Sequence, residues 1–332
     1  MAGIIMEIVQ KGWPISRIKK FIYLGFLLVA AIFTVLYIVK TNPINYVSDK
    51  LPFTLGNEKP RFLFSIYGSG MNGGLSKPMD VTFVNDRIYI TDTGNKRVQI
   101  FDRSGNSVGL FGKAGNKAGE FKFPYGITGD SEGLIYVSDM RNANISVFDR
   151  AGSFVKILAD NKQLNKPGGL YISENRLYVS DIAESKVKVF DLNGKKLLEI
   201  GKAGRGKEEL NSPNSVSVEG NRVYISDSGN DRVQVFDTEG KYINTLGFEN
   251  NSKTSMFVNP RGIGVSGGRV FVASKVTSYV FALDQNGQKI FTLGGMGQED
   301  ENLALPNGMF IDEEGRIYIV DSANQRLVVY QN

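Results

Sequence analysis

Six prolines, Pro78, Pro124, Pro167, Pro213, Pro260 and Pro306, recur at intervals of 46, 43, 46, 47 and 46 residues. A fixed period in this range marks a repeat architecture. Each proline is followed by a short apolar segment such as Tyr125-Gly126-Ile127-Thr128. Next comes RIYITD, LIYVSD, RLYVSD, RVYISD, RVFVAS or RIYIVD, whose alternating branched and aromatic residues predict a strand. A third strand reads RVQIFD in the first unit and RVQVFD in the fourth, and an apolar run such as Lys196 to Gly201 makes a fourth. Asp-x-x-Gly turns join the third to the fourth, for example Asp102 to Gly105 and Asp149 to Gly152. There the Asp carboxylate bonds the turn backbone and the Gly takes positive φ. Four antiparallel strands in about 45 residues make a propeller blade.

The sixth unit stops at Tyr330-Gln331-Asn332, before its fourth strand. Arg61 to Gly68, RFLFSIYG, has the missing fourth-strand pattern and precedes the first proline. The expected fold is therefore all-β, a six-bladed β-propeller over residues 60–332 with four antiparallel strands per blade. Its last blade is closed by the N-terminal strand, which removes the open sheet edge.

Ahead of the repeats, Phe21 to Val39 is nineteen residues without a charge. At a rise of about 1.5 Å per residue this nearly spans a hydrocarbon core, so a transmembrane helix is expected there. The run is longer than a signal-peptide core and no A-x-A-like site follows, which favours a retained anchor. Lys11, Arg17, Lys19 and Lys20 precede it and only Lys40 follows closely, so residues 1–20 are expected in the cytoplasm and the propeller outside the cell membrane. Residues 40–59, with Asn42, Pro43, Pro52 and Gly56, read as a spacer.

Charge and composition narrow the function classes. The net charge is +5, and residues 1–40 hold five cations against Glu7, which leaves the rest near neutrality. A field that weak does not mark a nucleic-acid surface. The chain has no cysteine and no histidine. Thiolate chemistry, Cys-ligated metals and the commonest general base are thereby excluded. No cofactor is expected, and calcium, bound through oxygen, is the one metal these residue types could hold.

The most emphatic motif is D-x-x-N-x-R, complete as Asp92, Asn95 and Arg97, as Asp227, Asn230 and Arg232, and as Asp321, Asn324 and Arg326. The Asp can cap loop N–H groups and the Arg can pair back to it, so the motif is expected to build blades rather than a site. Blade two keeps Asp139 but has Asn144 at the Arg position. Blade three keeps Asp181 with Lys186, and blade five has Ser274, Thr277 and Tyr279 instead of the whole set. Gly201 to Lys207 matches a G-x-x-x-x-G-K phosphate loop, but Glu208 follows where Ser or Thr is needed, and no helix pattern comes next.

The linkers GKAGNKAGEFKFP (Gly112 to Pro124) and GKAGRGKEELNSP (Gly201 to Pro213), with the DTGNKRV, DSGNDRV and DSANQRL turns, resemble NHL repeats of membrane-anchored bacterial type. The resemblance covers residues 61–332 and implies a six-bladed β-propeller. WD40 repeats are disfavoured because the repeats contain no Trp. In such a ring the residues after each proline should surround one mouth of the central channel: Asp80, Tyr125, Asn214, Arg261 and Asn307 among them. Six-bladed hydrolases of the lactonase type resemble this arrangement, which implies a calcium-dependent hydrolase or lyase as the alternative function. Asp80 is the only carboxylate of the ring, however, and Arg261 would repel a cation. Amidating lyases with an NHL-like propeller are disfavoured because their metal chemistry uses histidine. The expectation is a binding or scaffolding module for a protein or peptide partner in the cell envelope, with Tyr125, Arg261 and Tyr279 as anchors of hot-spot type. Nucleic acid and small-molecule ligands are not expected.

Overall fold

The computed structural model describes residues 59–332, apart from residues 71, 72, 249–251 and 253. The membrane helix expected at 21–39, the cytoplasmic segment and all but the last residue of the spacer lie outside the described residues. Among the described residues no helix is long and apolar enough to cross a membrane.

Six four-stranded antiparallel sheets follow one another around a ring. Blade one consists of Pro78–Val84, Arg87–Asp92, Arg97–Asp102 and Ser107–Phe111, ordered from the axis outward. In blade six the chain supplies Pro306–Ile311, Arg316–Asp321 and Arg326–Gln331, and the outer strand is Arg61–Ile66. Phe62 pairs with Tyr330 and Ile66 with Leu327, so the two ends of the propeller share one sheet. The innermost strands touch their neighbours all the way round, from blade six back to blade one.

The core is divided into interfaces between blades. Val81 and Ile88 of blade one pack with Tyr318, Val320 and Leu327 of blade six, and Phe271 and Ala282 of blade five with Met309 and Ile317. Strand alternation places these side chains on the sheet faces, where each blade covers the next. Around the Asp-x-x-Gly turns, Asp102 Oδ1 accepts the N–H groups of Ser104 and Asn106 at 2.9 Å each, and Gly105 has φ +88°.

Every innermost strand carries a β-bulge immediately after its proline. In blade one Pro78 pairs with Asp92 and Val81 with Ile90, so two residues oppose the single Thr91, and the other five blades repeat this register shift. A bulge re-aims side chains and ends regular pairing. Here it turns the first residue after the proline toward the axis. The second is often Gly because the neighbouring backbone is close: a Cβ on Gly126 would lie 2.3 Å from the Gly168 carbonyl oxygen.

Hydroxyl groups stitch the bulges together. Thr91 Oγ1 accepts from the Asp80 N–H at 2.8 Å and donates to the Tyr125 carbonyl of the next blade at 2.9 Å. Ser138 and Ser226 bridge blades two to three and four to five in the same way. The Ser or Thr after the motif Asp adds a second latch: Thr93, Ser228 and Ser322 each donate to the proline carbonyl of the following blade.

Candidate functional site

The motif aspartates sit under the loops of the upper face, defined here as the face on which the innermost strands begin. Asp92 accepts from the Ser76 N–H at 2.7 Å, from Asn95 Nδ2 at 2.9 Å, from Arg97 Nε at 2.7 Å and from Gln99 Nε2 at 2.9 Å. Asp227 and Asp321 hold Arg232 and Arg326 at 2.8 Å each, and both also accept from their Asn. Asp139 pairs with no cation among the described residues and is satisfied by backbone N–H groups of Lys122, Phe123, Arg141 and Asn142. In blade three the positive charge moves two residues along: buried Lys188, not Lys186, reaches Asp181 at 3.0 Å. These carboxylates are saturated with donors inside their own blades. The G-x-x-x-x-G-K loop is likewise spoken for, since Glu209 Oε2 accepts the N–H groups of Arg205 and Gly206 at 3.0 and 2.8 Å. Those are the amides a phosphate would need.

At the channel mouth the structure brings together four of the predicted residues. Tyr125 Oη donates to Asn214 Oδ1 at 2.8 Å and also lies 3.3 Å from Asn307 Oδ1. Arg261 Nη1 reaches the same Tyr125 oxygen at 3.5 Å. Asn307 Nδ2 turns to Met79 Sδ at 3.1 Å. The network crosses the ring between blades two, four, five and six and draws Tyr125 and Arg261 into the mouth itself. Tyr125 is only 5% exposed. Its phenol spans the axis because the bulge aims it inward, and there it meets two amides. Burial pushes the Tyr125 phenol above its ordinary value, with the Arg261 charge opposing part of that shift. It stays a neutral donor.

Asp80 lies below this seal, buried, with Oδ2 accepting the Ile127 N–H at 3.1 Å and Oδ1 the Val81 N–H at 3.0 Å. Desolvation raises its pKa to about 8 even though both backbone bonds pull the other way. A single carboxyl group whose pKa burial raises, two amide oxygens facing one phenol, and a guanidinium alongside are a poor donor set for calcium, which takes six to eight oxygens with carboxylates among them. Calcium does not fit this mouth. Among the described residues no three Asp or Glu side chains gather to hold a metal. At the lower end, a cleft of about 520 Å³ opens between the hairpins that join first to second strands. Its aspartates serve the hairpins: Asp130 and Asp312 each accept two backbone N–H groups and the hydroxyl of Tyr136 or Tyr318.

Tyr279 is not part of the mouth. It begins the third strand of blade five, 40% exposed, with its ring beside Gly295. Of the twelve large apolar side chains exposed among the described residues, six lie on three adjoining segments of the upper face around it. Phe248 and Val258 are on the linker entering blade five, Val276 and Tyr279 on the altered motif loop, and Met296 and Leu305 on the linker leaving it. The Val276 N–H donates to the Val258 carbonyl at 3.3 Å, and the Gly295 N–H to the Ser278 carbonyl at 2.9 Å, so the loop bridges both linkers. Leu305 has φ +52°, an uncommon conformation for a bulky residue. The sequence signal for this patch is the lost motif of blade five. Val258, Val276, Met296 and Leu305 escaped notice because their adjacency exists only across the fold.

Solved structures with the same architecture include a gluconolactonase from Xanthomonas campestris, 13% identical, with TM-score 0.60 over 83% of this chain and 95% of that one. A streptogramin B lyase is 13% identical, with TM-score 0.57 over 82% and 97%. The nidogen/laminin complex contains a chain 17% identical, with TM-score 0.55 over 66% and 80%. At such identities the likeness is one of fold. A search of curated protein sequences finds no significant match. The family described as 6-bladed beta-propeller matches residues 74–159, 158–256 and 251–332, which together take in nearly the whole ring, and the chain belongs to that family.

Proposed function

We propose that this chain is an NHL-type propeller, anchored in the cell membrane by residues 21–39, that binds a protein or peptide partner outside the cytoplasm with the upper face of blade five. The observation that carries this reading is the concentration of exposed apolar side chains on the three segments around Tyr279. Exposed apolar side chains gathered on backbone-bonded neighbouring segments mark interaction sites, and Tyr is among the residues enriched at interface hot spots. On the rest of the upper face Tyr67 is the one large side chain of this exposed class among the described residues, its hydroxyl tied to Arg326, and Tyr125 closes the channel mouth. A calcium-dependent hydrolase or lyase is the weaker reading, because the donor atoms it needs are engaged.

The test is partner capture from native membranes. Replacing Tyr279 and Met296 together by Ser is expected to abolish recovery of the partner while the thermal unfolding midpoint stays put, since both side chains are exposed. Undiminished recovery would contradict the assignment to blade five.

A further inference from the structure

Two cations stand beside the apolar patch without an ion-paired acid among the described residues, the carboxylate of Asp231 being taken up by the Asn259 N–H at 2.7 Å. Arg261 Nε donates to Asn259 Oδ1 at 2.8 Å, and the Lys275 N–H donates to the Asn259 carbonyl at 3.3 Å, so both residues are gathered on one asparagine at the inner edge of blade five. In blades one, three, four and six the cation that follows the motif aspartate is matched: Arg97, Lys188, Arg232 and Arg326 each lie within 3.0 Å of it. Among the described residues no ion pair joins Arg261 or Lys275 to a carboxylate, and the motif aspartate of the other blades is Ser274 here. The Lys275 ammonium is held below the usual lysine range, first by burial and second by the Arg261 charge. An anion arriving between the two would relieve both effects.

We propose that blade five takes hold of its partner by a C-terminal carboxylate, received by Arg261 and Lys275, with Val258, Val276, Tyr279 and Met296 contacting the apolar residues that precede it. This rests on the upper face being a polypeptide-binding surface. A chain end fits better than an internal acidic residue because Tyr125, Asn214 and Asn307 close the channel directly beyond Arg261, so an entering strand stops there. A lipid surface fits less well. Glu299, Asp300 and Glu301 are exposed on the linker that carries Met296 and would repel anionic headgroups.

The experiment uses the purified full-length protein and synthetic hexapeptides whose last three residues are Leu, Phe, Val or Met, each made as the free acid and as the C-terminal amide. Fluorescence anisotropy is expected to show free acids binding at least tenfold more tightly than amides, with the difference shrinking at high salt. Lys275→Met is expected to remove most of that difference while leaving amide binding unchanged. Its unfolding midpoint should hold or rise, because the lysine charge is buried without compensation. Arg261→Gln should act in the same direction. Equal binding of acids and amides would overturn the carboxylate assignment yet leave the apolar surface standing, whereas no binding of either would overturn both. Tighter binding to phosphatidylglycerol vesicles than to any free acid would overturn it in favour of a lipid surface.

Discussion

Arg326 Nε lies 2.8 Å from Asp321 Oδ2 with both side chains wholly out of solvent, and the same guanidinium reaches the carbonyls of Glu299 and Asn302 at 2.7 and 2.8 Å. It also donates to Tyr67 Oη at 3.1 Å, so one side chain ties the last blade to the linker entering it and to the segment after the closing strand. Removing one partner of a buried pair leaves the other uncompensated, at a typical cost of about 3–5 kcal/mol. Arg326→Met should lose stability on that scale in urea unfolding. Arg97→Met should lose less, because Arg97 is 16% exposed and Gln99 still donates to Asp92. Equal losses would show that the sixth set has no special part in closure.

Closure itself depends on Arg61–Ile66, which supplies the outer strand of blade six and places Phe62 edge-on to Tyr330 at 6.1 Å. Deleting residues 60–68 should abolish cooperative unfolding, since it uncovers Leu327 and Val329 and leaves a strand edge unpaired. An unchanged midpoint and denaturant slope in the truncated protein would contradict this.

Asp80 gives the ring a pH signature. Its folded-state pKa of about 8 is above the ordinary aspartate value, so between roughly pH 4 and pH 8 the folded state holds a proton that the unfolded chain has released. Stability therefore falls as pH rises through this window from that group alone. Asp80→Asn stays neutral but its Nδ2 cannot accept one of the two backbone N–H groups, so it should be less stable than the native protein at pH 4 and gain on it as pH rises to 9. Parallel stability profiles for the two proteins would show that Asp80 is ionised in the channel.

Calcium at millimolar concentration should leave the melting temperature unchanged, because a ligand that binds only the native state must raise it. A saturable rise with one ion per chain would revive the hydrolase or lyase reading and require Asp80, Asn214 and Asn307 to rearrange.

The blade count, the strand order within each blade and the closing strand were legible in the sequence, because a period near 46 residues repeats local signals in phase. The pairing of Arg97, Arg232 and Arg326 with their aspartates was legible for the same reason. The sealed mouth was not, since it depends on a bulge that the sequence marks only by small residues such as Gly126 and Gly308, and on Tyr125 being long enough to cross the axis. Nor did Lys188 stand out as the replacement cation in blade three: Lys186 stands opposite Asp181 in the sheet as Arg97 does opposite Asp92, yet the side chain that reaches Asp181 is Lys188, at the position Gln99 holds in blade one. The apolar patch draws on linkers some fifty residues apart in the chain, Phe248 to Leu305, and comes together only when the blade between them is folded.

The most direct test of the functional reading is site-specific photo-cross-linking of the full-length protein in the cells that make it. A benzophenone amino acid would be placed singly at Val276, Tyr279 and Met296, and as controls at Glu132 on the lower face and Leu197 on an outer strand. One discrete protein adduct is expected, shared by the three blade-five positions and absent from both controls. Adducts of equal yield at all five positions, or none at Val276, Tyr279 and Met296, would contradict it.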